Sequence, residues 1–278
     1  MIDIDRRTAL LMALSTPFVS AAARAVSNPA QPDMSDMGHD MNMTGYDPTV
    51  HWMGNEQIAM LMYPGMTVMD LIGPQSMFGA LMGAKVLLVA KTADPVTSDA
   101  GVTITPHATF DTCPRDLTVL FTPGGTSGTL AAASDPETLA FMADRGSRAK
   151  YVTSVCSGSL ILGAAGLLKG YKATSHWSVR HVLASYGAVP TDARVVRDRN
   201  RVTGAGVTAG LDFGLTMLAE LRDRTYAECC QLMAEYDPHP PFNAGSLKTA
   251  TPAVRDPMLR MAADFTKKAE ALAALAIG

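Results

Sequence analysis

Residues able to do chemistry are concentrated in a few short turns of this chain. The sharpest is Val152-Thr153-Ser154-Val155-Cys156-Ser157-Gly158-Ser159-Leu160, where an apolar strand runs into a single cysteine and small residues follow before an apolar helix. That is a strand–turn–helix elbow with a thiol at the bend. Small neighbours let the turn tighten and the backbone approach closely. A sulfur placed there sits at the positive end of a helix dipole, which lowers a thiol pKa below its ordinary value of about 8.5. The expectation is therefore a resting thiolate at Cys156. The alternative is a cysteine packed beneath the sheet.

A thiolate adding to a substrate needs a proton delivered and a water activated. Asp70 is a lone acid in Val68-Met69-Asp70-Leu71-Ile72-Gly73-Pro74. Apolar surroundings disfavour its charged form, so it is expected to hold a proton near neutrality; otherwise it caps the helix it begins. The Ser157 hydroxyl both donates and accepts, and is expected to orient Asp70 or a water, or else to cap the following helix. Gly124-Gly125-Thr126 either presents N–H groups to developing negative charge or forms a plain turn. His176, in Ala173-Thr174-Ser175-His176-Trp177, is an accessory partner for the thiol unless it is structural. The sequence holds no P-loop, dinucleotide fingerprint, zinc-spaced Cys/His set or Ser–His–Asp signature, and no cofactor is expected. Of the other cysteines, Cys113 before Pro114 reads as incidental, and Cys229-Cys230 as small buried hydrophobes.

The elements that must hold these turns alternate. Strands are predicted over Ile58–Tyr63, Lys85–Lys91, Leu117–Phe121 and Tyr151–Val155. Helices are predicted over Leu71–Met82, Ser127–Ala132, Pro136–Arg148 and Ser157–Leu168, the last stopped by Gly170, and again over His176–Tyr186. Val102–Ile104 and Ala108–Phe110 read as an antiparallel excursion, and Arg194–Arg197 with Arg201–Thr203 as a hairpin. Thr208–Tyr236 reads as two helices broken near Asp223, and Val254–Ala276 as an Ala-rich helix. Alternation of this kind argues an α/β fold with a mainly parallel sheet covered on both faces, with sites at the carboxyl ends of its strands.

The chain has 278 residues, 47% hydrophobic and 18% charged, with a net charge of −3. A sizeable core is easily supplied, and nothing in the charge favours nucleic acid or an anionic membrane as partner. A small-molecule substrate fits better. Residues 1–25 have the build of an export signal: Arg6-Arg7, an apolar run from Thr8 to Val19, then small residues. The paired arginines point to the twin-arginine route and a periplasmic destination, although Ala9 stands where that motif usually has a bulky apolar residue. Residues 26–55 read as a flexible leader rich in Met and His, in which Met37, His39, Met41 and Met43 are the weak candidates for a metal such as copper. The folded domain is expected over residues 56–278, with no membrane span in the mature form.

The run Tyr151–Leu160, followed by Leu162-Gly163-Ala164-Ala165-Gly166-Leu167-Leu168 and Ala173-Thr174-Ser175-His176-Trp177, resembles isonitrile hydratases of the ThiJ/PfpI superfamily. Supporting stretches are Asp70-Leu71 with Gly73-Pro74, Pro123–Thr126, Arg194–Asp198, Thr208-Ala209-Gly210 with Asp212-Phe213, and Pro240–Ser246. The resemblance implies a flavodoxin-like, class I glutamine amidotransferase-like three-layer sandwich, usually a homodimer, that hydrates an isonitrile to an N-substituted formamide without a cofactor. It implies Cys156 as nucleophile, Asp70 as acid/base, and Ser157 in the place of the family's threonine. Gly73, Gly124, Gly125, Thr126, Ala205 and Gly206 then fall in the substrate- and oxyanion-binding set. Gly204-Ala205-Gly206 departs from the three glycines usual in that loop. Protease-like relatives carry a histidine directly after the cysteine, which this chain lacks. Two other readings stand beside this one. Glyoxalase- or deglycase-type relatives act on small aldehydes, but they use a glutamate where this chain has Asp70. A non-enzymatic ligand- or metal-binding periplasmic protein is the other, and the tail beyond Ala250 is too short for the DNA-binding region that some relatives append.

Overall fold

A computed structural model describes residues 52–275. The export signal, Met37, His39, Met41, Met43 and most of the leader lie outside the described residues. Strand β1 (Gln57–Leu61) leads through α1 (Val68–Phe78) to β2 (Lys85–Ala90). Three two-residue strands follow: β3 (Val96–Thr97), β4 (Thr103–Ile104) and β5 (Ala108–Thr109). Then come β6 (Val119–Thr122), α2 (Ser127–Ala132), α3 (Pro136–Arg148), β7 (Tyr151–Val155) and α4 (Gly158–Ala164). Next are β8 (Lys172–Ala173), a 3-10 helix (Arg180–Tyr186), β9 (Val189–Pro190), β10 (Val195–Asp198) and β11 (Arg201–Gly204). The chain closes with α5 (Ala209–Leu221), α6 (Arg224–Met233) and α7 (Pro252–Leu275).

The main sheet runs β10-β11-β7-β6-β1-β2-β5, parallel throughout except for the β10–β11 hairpin. Ile58 to Leu61 of β1 and Val119 to Phe121 of β6 are fully buried, as expected for parallel strands covered on both faces. Phe78 of α1, Phe121 of β6 and Phe213 of α5 meet with centroids 5.6–6.4 Å apart, which fixes the two helices against the sheet centre. The chain leaves β1 toward β2 on one side, whereas β6 and β7 are added on the other. The order reverses between β1 and β6, the point beyond whose strand ends ligands bind in open sheets of this kind. Among the described residues no helix is long and apolar enough to cross a membrane.

Three expectations about the elements are corrected. The two segments read as one antiparallel excursion do not pair with each other. Strand β4 pairs antiparallel with β3 around a turn at Ser98–Gly101, while β5 joins β2 in parallel at the sheet edge. The helix after Cys156 ends at Ala164, not Leu168, because Gly166 turns left-handed with φ 74°. Between His176 and Tyr186 only a 3-10 helix from Arg180 forms, since the His176 ring bonds the Ser178 hydroxyl and backbone and diverts the chain from a helical start. The break at Asp223 is as expected: its carboxylate caps α6 by accepting from the Tyr226 N–H at 2.8 Å.

Candidate active site

Asp70 follows β1, Gly124 and Gly125 follow β6, and Cys156 follows β7, so three neighbouring strands deliver them to one place. Cys156 is the bend of the elbow and holds φ 58°, a left-handed backbone that side chains rarely adopt. Its N–H donates to Ala205 O at 2.7 Å and Gly204 O at 3.1 Å, and its carbonyl accepts from the Ser175 hydroxyl at 3.0 Å. The strained turn is thus bolted on both sides. Gly158 must be glycine, because a Cβ there would lie 2.5 Å from the carbonyl oxygens of Thr122 and Pro123. Gly124 is equally constrained: its Cβ would fall 2.6 Å from Ser157 N and 2.7 Å from both Asp70 Oδ2 and Ser157 Oγ. That crowding also measures how tightly the three turns converge.

Asp70 is fully buried in the first turn of α1, where Oδ2 accepts from the Gly124 N–H at 3.0 Å. Oδ1 has no partner of ordinary hydrogen-bond geometry, and the Cys156 thiol is the side chain that interacts with this carboxyl. Burial pushes Asp70 up to about 7, opposed by the Cys156 and Gly124 contacts and aided by the charge of Asp99. A carboxyl holding its proton near neutrality is therefore present, as the apolar surroundings predicted.

The expected resting thiolate is not. Cys156 is 6% exposed, and burial pushes its thiol well above the ordinary value, with the Asp70 charge adding to the rise. The Ser157 N–H opposes that rise but does not overcome it. Desolvation outweighs the dipole of a helix only seven residues long.

Ser157 also departs from expectation. Its Oγ donates to Gly125 O at 2.6 Å, accepts from the Gly125 N–H at 3.0 Å and lies 3.2 Å from Thr129 Oγ1. It neither caps α4 nor bonds Asp70, but fixes the glycine loop that does. The N–H groups of Gly124 and Gly125 are both engaged, so the oxyanion role foreseen for them is not available in this arrangement. Thr126 is exposed at the start of α2, and Gly73 is buried inside α1 facing Leu211. His176 makes no hydrogen bond to Cys156; its Nδ1 is 2.7 Å from the Ser178 hydroxyl, and burial lowers its pKa. His176, Ala205 and Gly206 instead share the wall of a cavity of about 510 Å³ with Trp177, Arg180 and Arg194. Neither Cys156 nor Asp70 lines it, but Ala205 joins the two places through its bond to the Cys156 N–H. Among the described residues no cluster of His, Cys, Asp or Glu could hold a metal ion.

Two participants were missed in the sequence. The buried Tyr63 hydroxyl donates to Pro123 O at 2.8 Å and lies 2.9 Å from Thr129 Oγ1, extending the Ser157 network beneath the glycine loop. Its place at the end of the first apolar strand was the available signal. The other is Asp99, which sits in a turn whose Ser-Asp-Ala-Gly composition marks only a loop.

A parallel sheet with a cysteine elbow at its topological reversal, facing a buried acid, defines a class of α/β proteins with a thiol site. Residues 56–220 match the DJ-1/PfpI family, and the chain belongs to it. It is 44% identical over 222 residues to an isonitrile hydratase of Pseudomonas putida, covering 77% of this chain and 96% of that protein. It is 31% identical over 122 residues to a deglycase of Thermococcus kodakarensis, covering 44% of this chain and 73% of that protein. The crystal structure of a ThiJ/PfpI family protein from Pseudomonas syringae superposes with a TM-score of 0.82 at 75% identity, covering 84% of this chain and 98% of that one.

Proposed function

We propose that the protein hydrates isonitriles to N-substituted formamides through a thioimidate on Cys156, without a cofactor. The observation that carries this reading is the buried Cys156–Asp70 pair, set in a chain 44% identical to an isonitrile hydratase along nearly all of that protein. In the resting site the proton is on sulfur, and Asp70 is poised near pH 7 to take it. As sulfur bonds to the terminal isonitrile carbon, the Asp70 carboxylate accepts the thiol proton and returns it to that carbon. The sum is addition of S–H across one carbon, giving R–N=CH–S–Cys156. Water then adds across the C=N bond, its proton passing through Asp70 to nitrogen. Collapse of this adduct breaks the C–S bond, the formamide leaves, and the remaining proton returns to sulfur. Ser157 holds the Gly124-Gly125 loop so that the Gly124 N–H keeps Asp70 in place. Substrate arrives past Ala205 and Gly206 from the neighbouring cavity, with His176 and Trp177 on its wall.

In this reading the mature enzyme is an exported, periplasmic homodimer. Cell fractionation and the solution mass of the mature chain test those two points. The activity is tested by assaying several alkyl and aryl isonitriles with the purified protein and its Cys156→Ala form. Equal rates from the two would end the proposal. The match to a deglycase favours methylglyoxal as the comparison substrate, and faster turnover of it than of any isonitrile would transfer the same site to aldehyde chemistry.

A further inference from the structure

The turn that carries Asp70 is held from outside its own element. Asp99 lies between β3 and β4, the antiparallel pair that stands apart from the main sheet. Its Oδ2 accepts from the Thr67 hydroxyl at 2.7 Å and its Oδ1 from the Val68 N–H at 3.3 Å. Its own N–H donates to Met66 O at 2.9 Å. Thr67 is the cap position of α1 and makes no side-chain cap bond within its own helix, so Asp99 supplies the cap from a distance. The same turn is tied to the glycine loop, since the Thr67 N–H donates to Gly124 O at 2.8 Å and Asp70 N–H to Thr67 O at 3.0 Å. Asp99 therefore grips three consecutive residues, 66 to 68, two positions before the buried carboxyl.

We propose that Asp99 is the positioning residue for Asp70: it clamps the β1–α1 turn so that the carboxyl meets the Cys156 sulfur, and it sets a negative charge beside that turn. Its catalytic meaning rests on the isonitrile reading above, whereas the clamp does not. The titratable groups acting at Asp70 are Cys156 from the β7–α4 turn, Asp99 from the β3–β4 turn and Tyr63 from the end of β1, and none of them is a cation. With no cation among the described residues acting on Asp70, an approaching negative charge acts in one direction only. It favours the protonated acid.

The test uses the full chain in four forms: unchanged, Asp99→Asn, Asp99→Ala and, to assign the signal, Asp70→Asn. The Asp70 carboxyl is titrated by carbon NMR at low and high salt, and isonitrile kinetics are measured on the same samples. In the unchanged protein the midpoint lies near 7. It moves downward in both Asp99 variants. Added salt lowers it in the unchanged protein and leaves it nearly fixed in the variants, because Asp99 is exposed and its charge is screened. Asp99→Ala, which loses clamp and charge, lowers kcat about tenfold with little change in KM, and Asp99→Asn, which keeps an acceptor, lowers it less. If Asp99→Ala fails to fold, Asp99→Asn decides by titration alone. A midpoint unchanged in a folded Asp99→Asn overturns the proposal. If no isonitrile is consumed by the unchanged protein, the functional reading falls while the titration still judges whether Asp99 acts on Asp70.

Discussion

Cys113 and Cys156 are both buried thiols, and burial raises both of their pKa values, yet they face opposite charges. Beside Cys113 stands the Arg145 guanidinium, which opposes the rise and is itself occupied by the carbonyls of Phe110, Cys113 and Pro114. Beside Cys156 stands Asp70, which steepens the rise. Judged by charge at rest, Cys113 is the better placed to ionise. What sets Cys156 apart in the proposed mechanism is a neighbour, Asp70, able to receive its proton and give it back, together with the bent backbone that presents it beside that carboxyl. In that mechanism reactivity comes from a proton route rather than from a standing anion.

The contrast breaks most directly by removing each sulfur. Cys156→Ala is expected to lower isonitrile turnover by about 10⁴-fold or more, while Cys113→Ala stays within about twofold. Steady-state kinetics on the two variants decide, and comparable losses would erase the distinction.

Asp70→Asn sharpens it from the carboxyl side. Activity should fall about 10³-fold, while stability should change in the other direction. The folded pKa of Asp70, about 7, lies above its unfolded value of 3.8, so the native state binds the extra proton. Stability associated with that proton is complete below about pH 4 and is lost as pH rises through 7, by up to about 4 kcal/mol. The amide has no such loss. Urea denaturation at pH 4.5 and pH 8 should show the variant gaining on the unchanged protein as pH increases, and a pH-independent difference would contradict the burial cost assigned to Asp70.

Gly124→Ala puts a methyl carbon within 2.7 Å of Asp70 Oδ2 and both Ser157 atoms. Turnover should fall about 100-fold through misplacement of the acid, and thermal unfolding should report a cost of about 2 kcal/mol. The smallest effect is expected from Ser157→Ala, which leaves the Gly125 N–H without its partner: about tenfold in kcat and about 1 kcal/mol in stability. A larger loss in the serine variant than in Gly124→Ala would mean that the hydroxyl touches substrate directly.

Most of this site is legible in the sequence, because its parts are local. The elbow from Val152 to Leu160 is written in consecutive residues, as are the lone acid after the first strand and the Pro123-Gly124-Gly125 turn. The helices Ser127–Ala132 and Pro136–Arg148 and the strand Tyr151–Val155 fall where apolar spacing puts them. What could not be read depended on distance. Ala108–Thr109 leaves its neighbour Thr103–Ile104 to join β2 at the edge of the main sheet, a partner 19 positions back along the chain. The proton on Cys156 follows from how much protein closes over the sulfur, which no spacing records. Ser157 turned toward Gly125 and Thr129 because the β6 turn and α2 sit there, and Asp99 reaches Thr67 across 32 positions.

The left-handed bend at Cys156 has a consequence for laboratory evolution. At φ 58° any side chain is held against its preference by about 1 kcal/mol, a burden glycine does not carry. A screen that rewards heat resistance alone will therefore favour a neutral residue at position 70, where burial of the carboxyl costs most, and gains nothing from keeping the bend at position 156. It would enrich variants that outlast the parent while lacking the groups of the proposed mechanism, so selection for robustness must be coupled to a readout of turnover at every round.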